Sequence, residues 1–132
     1  MEDCLFCKII KGEAPSYKIW EDKNFFAFLD INPINPGHTI LVPKKHLGYI
    51  FDLEEPLYSE IFRTVKKLSK PLKRVTGAER IALAIEGFVV PHIHIHLVPV
   101  NKVNDLDPNR AKKSSPEELL TIAEKVKALI KF

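Results

Sequence analysis

Three of the five histidines in this 132-residue chain crowd into one short run, His92, His94 and His96. In an extended strand alternate side chains share a face, so the three imidazoles should point one way and Ile93, Ile95 and Leu97 the other, into a core. Neighbouring rings would then stand about 6.6 Å apart along the strand. Such a row suits two chemistries. It can converge on a metal, because neutral imidazole is a common zinc ligand. Alternatively one ring can attack an electrophile while the others orient the charge around it. A merely half-exposed strand would be served equally well by Thr, Lys or Glu. The only two cysteines, Cys4 and Cys7, form a C-x-x-C. So close a pair cannot staple a fold, and no thioredoxin-like βαβ pattern follows it, so metal binding is the better expectation than redox exchange.

The elements that must position these groups are legible as patterns. Residues 5–11 form a short helix ended by Gly12. Residues 17–21 and 25–30 alternate as two strands around the turn Asp22-Lys23-Asn24. A third strand covers residues 38–43 after a Pro-Gly loop. From Glu54 to about Val75, Leu57, Ile61, Val65, Leu68 and Leu72 recur at steps of three and four, the stripe of an amphipathic helix. Pro71 should break or kink it near its end. Strands follow at 80–85 and 91–98. Ser115-Pro116-Glu117-Glu118 has the cap, proline and acidic residue of a helix start, and Leu119, Ile122, Ala123, Val126 and Ile130 supply its buried face. The order predicts an α+β fold: an antiparallel five-stranded sheet with a long central helix and a C-terminal helix.

Composition narrows the setting. Hydrophobic residues make up 45% and charged residues 28%, a globular balance. Twenty Lys+Arg against 17 Asp+Glu leaves +3, too little for a general nucleic-acid binder. The N-terminus is acidic and lacks a long apolar run, and no window suits a membrane span, so a single cytoplasmic domain over residues 1–132 is expected.

Pattern and context together point to a family. Gly87-Phe88-Val89-Val90-Pro91-His92-Ile93-His94-Ile95-His96-Leu97-Val98-Pro99 resembles the signature of the histidine triad (HIT) family, His-φ-His-φ-His-φ-φ with φ apolar. The resemblance extends to Phe6–Glu13, to Phe26–Pro33 and to Pro36–His46, in family order over about residues 4–100. It implies a nucleotide hydrolase or transferase acting at the α-phosphorus of nucleoside phosphoramidates or dinucleotide polyphosphates. His94 would be the nucleophile that forms a nucleotidyl-histidine, His96 the partner of the α-phosphate or bridging oxygen, and His92 the group that fixes ring orientation. Asp30 would bind the ribose, although an Asp ahead of Asn32-Pro33 also reads as a turn residue. Leu5, Phe6, Ile9, Phe28 and Ile31 would form the base slot, some doubling as core. In the bacterial-type, zinc-containing branch the matching positions Cys4, Cys7, His46 and His92 hold a structural Zn²⁺. The resemblance further implies a homodimer and a purine nucleoside monophosphate derivative as ligand. His38 reads as structural, near a turn.

One stretch departs from the pattern. Many family members carry Asn-x-Gly and then Gly-Gln-Ser/Thr-Val before the triad, whose polar groups contact phosphates. Here the loop is short and apolar, with Phe88 at the Gln position and Val89 at the Ser/Thr position. Pro91 lacks an N–H and should sit at an edge or bulge. Arg110, Lys112 and Lys113 read as a solvated basic stretch. Two rivals stay open: a nucleotide-binding or scaffold protein with little turnover, and a catalytic zinc enzyme whose metal the three histidines hold.

Overall fold

The structure, a computed structural model, describes residues 3–132, so Met1 and Glu2 of the acidic N-terminus lie outside the described residues. Strands β1 (Tyr17–Glu21), β2 (Phe25–Leu29), β3 (Thr39–Pro43), β4 (Arg80–Ala84) and β5 (Ile95–Val100) form one antiparallel sheet in the order β1-β2-β3-β5-β4. The turn between β1 and β2 is closed by Asp22, whose Oδ1 accepts from the Asn24 and Phe25 amides at 2.8 and 2.7 Å. Helices α1 (Leu5–Ile10), α2 (Leu57–Thr76) and α3 (Pro116–Leu129) complete the fold. Among the described residues no helix is long and apolar enough to cross a membrane.

The two faces of the sheet have different tasks. Ala27, Leu29, Leu41, Ile95 and Leu97 turn to one face and pack with Ile61, Leu68 and Leu72 of α2 and Leu119 and Val126 of α3. Phe26, Phe28, Ile40 and Val42 turn to the other, where Phe6, Cys7 and Ile9 of α1 cover part of it. Because β2 and β3 are buried along their whole length, they read as continuous apolar runs.

Two local expectations are corrected. Helix α2 runs through Pro71 to Thr76 and ends at Gly77, whose φ of 70° makes the left-handed cap. Pro71 is itself buried beside Leu68 and Leu72 on the core face, and that packing offsets the lost backbone hydrogen bond. The predicted strand at 91–98 begins only at Ile95. Pro91 has no amide to give, the His92 amide turns back to the Val90 carbonyl (2.8 Å), and that of Ile93 leaves the ladder for Leu47 (2.6 Å). The alternation survives this irregularity, since Ile93, Ile95 and Leu97 all enter the α2/α3 core. For the C-terminal helix the start is as expected: Pro116 opens it, and the Ser115 hydroxyl accepts from the Glu118 amide at 3.1 Å.

Candidate active site and metal centre

On the second face, four ligand groups from three parts of the chain meet. Cys4 caps α1, its Sγ accepting from the Cys7 amide, so one helical turn presents both sulfurs together. His46 follows the end of β3 and His92 precedes β5. The Cys7 Sγ lies 3.2 Å from His46 Nδ1 and 3.5 Å from His92 Nδ1, Cys4 Sγ lies 3.4 Å from His92 Nδ1, and the two Nδ1 atoms are 3.1 Å apart. All four ligand atoms fall within 4.8 Å of one another. Around a tetrahedral ion with nitrogen ligands near 2.0 Å and sulfur near 2.3 Å, geometry gives N···N edges of about 3.3 Å and N···S edges of about 3.5 Å. The donor set therefore fits a small tetrahedral cation. His92 is prepared for it, because its Nε2–H donates to the Pro43 carbonyl (2.8 Å) and leaves Nδ1 as a lone pair among the sulfurs. Burial, reinforced by His46, holds the His92 imidazole neutral, while burial and the neighbouring Cys4 sulfur push the Cys7 thiol up.

The other two triad histidines face a cleft of about 670 Å³. His94 Nδ1 lies 2.7 Å from the His92 carbonyl oxygen. A carbonyl only accepts, so Nδ1 carries the proton and Nε2 is left with the lone pair. His94 is buried, with Phe6 edge-on to its ring at 4.9 Å and His96 at 5.0 Å.

His38 is the group that sequence reasoning underestimated. Its Nδ1 accepts from the Ile34 amide (3.0 Å), so its neutral ring carries hydrogen on Nε2, which donates to His96 Nδ1 at 2.9 Å. His96 must in turn carry its proton on Nε2. Burial pushes both His38 and His96 down to about 4, and for His96 the proximity of His38 adds to it. The pair is thus neutral near pH 7. The 3.6 Å approach of Asp30 to His38 is then no ion pair; within the group of Asp30, His38 and His96 the hydrogen bond runs from His38 to His96.

Asp30 makes the anticipated turn contact and also borders the cleft. Oδ1 accepts from the Asn32 amide (2.9 Å), a turn-forming contact, while the side chain lines the cleft. Burial pushes its carboxyl up from the usual range. Leu5, Phe6, Ile9, Phe28 and Ile31 all line the cleft. Phe6, Ile9 and Phe28 are also core, whereas Leu5 and Ile31 are half exposed at the rim, 49% and 51%. The basic stretch stays outside: Lys112 and Lys113 are exposed, and Arg110 bonds to Asn35 Oδ1 at 2.8 Å.

Residues 11–103 match the HIT domain family. The chain belongs to the HIT family. It is 38% identical over 124 residues to a HIT-like protein of Borreliella burgdorferi of uncharacterised function, with 89% of each chain covered. It is 40% identical to an adenosine 5'-monophosphoramidase of Candida albicans, over 73% of this chain and 69% of that one. Among solved structures, a zinc-bound histidine triad family protein from Mycobacterium smegmatis superposes with a TM-score of 0.79 at 28% identity, covering 96% of this chain and 92% of that one. The HIT match begins after Cys4 and Cys7, so the candidate metal site of this HIT protein rests on its own geometry.

Proposed function

We propose that this HIT protein cleaves nucleoside phosphoramidates or dinucleotide polyphosphates at the α-phosphorus through a nucleotidyl-histidine on His94. The observation that carries the proposal is the tautomer of His94: with Nδ1–H bound to the His92 carbonyl, its nucleophilic Nε2 is the free nitrogen beside the cleft. His94 Nε2 forms the bond to phosphorus as the bond to the leaving group breaks. His96, its Nδ1 already accepting from His38, donates its Nε2–H to the α-phosphate or bridging atom, and the leaving group departs with its electron pair and takes a proton from solvent. Water then attacks phosphorus and gives up a proton to solvent, the N–P bond breaks with its electron pair returning to His94 Nε2, and the monophosphate leaves. Asp30 binds the ribose, and Leu5, Phe6, Ile9, Phe28 and Ile31 hold the base, a purine being the expected one.

Cys4, Cys7, His46 and His92 would hold Zn²⁺ in a closed, structural site, placing the chain in the bacterial-type zinc branch. When bound, the ion supplies a cross-link between α1, the end of β3 and the His92 segment. Three-histidine zinc catalysis is disfavoured because His92 Nδ1 faces the cysteines while His94 and His96 face the cleft. We read residues 1–132 as one domain, acting as a homodimer in the cytoplasm, where two buried thiols stay reduced. No nucleic-acid polymer or membrane partner is invoked.

Wild type and His94→Ala, assayed on adenosine phosphoramidate and diadenosine polyphosphates, test the mechanism. The variant should lose roughly a thousandfold or more in kcat, and denaturant-quenched wild type should carry a nucleotidyl adduct in its mass spectrum. Equal, near-background rates would leave only a nucleotide-binding or scaffold protein, a reading that the apolar loop at Phe88 and Val89 favours.

A further inference from the structure

Helix α1 is tied to the rest of the chain through very few polar contacts. The backbone hydrogen bonds of residues 4–14 all close within that segment, from the Lys8 amide on the Cys4 carbonyl to the Ala14 amide on the Lys8 carbonyl. Among the described residues, the only hydrogen bonds that leave it join the Cys4 and Cys7 sulfurs to His46 and His92. No ion pair among those residues includes one of its side chains. Phe6 and Ile9 add apolar packing against the sheet, but six residues do not sustain a helix alone. The polar hold on α1 is therefore concentrated in two sulfurs.

Those sulfurs are also placed to react with each other. Cys4 is the N-cap and Cys7 stands in the first turn, where helix rise and radius set the two Cα atoms about 5 Å apart, inside the disulfide range. Their Sγ atoms lie within 4.8 Å. They are the only cysteines of the chain, so neither has a competing partner. Nor is the pair sealed. Cys4 and Cys7 are 7% and 6% exposed and His46 is half-buried, which leaves the site one side chain below the surface, within reach of a small neutral oxidant.

We propose that Cys4 and Cys7 are a peroxide-sensitive dithiol whose oxidation to a disulfide discharges the metal and unfastens α1. This rests on the four-ligand metal site proposed above and not on the nucleotidyl-transfer chemistry. One thiolate attacks the O–O bond of a peroxide, an S–O bond forms, and hydroxide leaves. The second thiolate attacks that sulfur, the S–S bond forms as the S–O bond breaks, and a second hydroxide leaves. Each sulfur gives up one electron, and the two peroxide oxygens take both. The joined sulfurs carry no charge, so only the His46 and His92 imidazoles are left for the cation. With the sulfur ties gone α1 keeps only its apolar packing, and Leu5, Phe6 and Ile9 no longer form a fixed wall of the cleft. A thiol reductant restores the dithiol, as it does for redox-sensing disulfides of the cytosol.

The whole chain, purified with its zinc and treated with hydrogen peroxide, tests this. A zinc-sensitive dye should report about one equivalent released. Intact mass should fall by two hydrogens, with no thiol left for iodoacetamide. Trypsin cleavage after Lys8 or Lys11 should quicken by roughly tenfold or more, since cleavage tracks the population of the opened segment. Dithiothreitol with added zinc should restore the slow cleavage, and AMP should bind the oxidised form several-fold more weakly. Zinc retained under peroxide, sulfinate in place of the disulfide, or unchanged cleavage after metal loss overturns the proposal. Equal AMP affinity in the two forms overturns the link from α1 to the cleft. Protein that arrives without zinc refutes the metal site first, and this inference with it. If AMP binds neither form, the nucleotide reading fails while metal release and mass still decide the dithiol.

Discussion

At the level of single residues, the informative feature is a relay of tautomers. The Ile34 amide fixes His38, His38 fixes His96, and the His92 carbonyl fixes His94, so His94 and His96 each present a defined nitrogen to the cleft. His38 therefore acts on the site through His96, as a positioning residue. With His38 and His96 pushed down to about 4 against an unfolded value near 6.5, the unfolded chain binds more protons throughout that window. Stability consequently falls as pH drops from about 6.5 toward 4 and is unaffected by these groups above it. The imidazole signals of both rings should stay at their neutral positions down to pH 5.5 in NMR titration. The urea midpoint should decline on acidification more shallowly in His38→Gln than in wild type. If either ring titrates near 6.5, the buried neutral pair is refuted.

Among the elements, α1 carries the most consequence for its length. Its six residues cannot sustain a helix alone, and its hold on the sheet comes from Phe6, Cys7 and Ile9 together with the four-ligand centre. The same short helix supplies Phe6 against both His92 and His94, so the candidate metal site and a wall of the cleft are parts of one unit. Protein purified without added zinc should contain about one equivalent. Cys4→Ala with Cys7→Ala should fall below half an equivalent and lose about 3 kcal/mol or more of stability, measured by metal analysis and denaturant unfolding. Metal content unchanged by the double substitution would exclude this centre. Beside α1, β5 shows how an interrupted strand can serve a site: the break at Pro91–His94 frees the His92 carbonyl from the ladder to hold the His94 ring.

For the molecule as a whole, the two faces of the sheet separate stability from chemistry. The α2/α3 face holds the larger core, and the opposite face holds the cleft and the cysteine-histidine centre. Strand β4 pairs only with β5 and leaves an edge carrying Leu83, 40% exposed. An unpaired edge of this kind suits addition of a second sheet, in keeping with the proposed homodimer. Sedimentation equilibrium should return twice the 15.1 kDa chain mass at micromolar concentration. A monomer at that concentration would refute the dimer.

Periodicity and spacing alone determined the element order, the α2 stripe, the Ser115 cap and the shared direction of the triad histidines, because these depend on local geometry that repeats every two or 3.6 residues. The resemblance carried by the triad segment named the candidate ligands Cys4, Cys7, His46 and His92, which the fold brings together. His38 shows what sequence could not supply. It shares strand parity with Ile40, yet only the β3–β5 register sets it diagonally beside His96 and turns a supposed turn residue into part of the site. Pro71 was misjudged for a related reason, since a local rule yields where neighbours bury the offending residue. Tautomers and pKa shifts likewise depend on contacts between residues tens of positions apart, and those exist only once the sheet has formed.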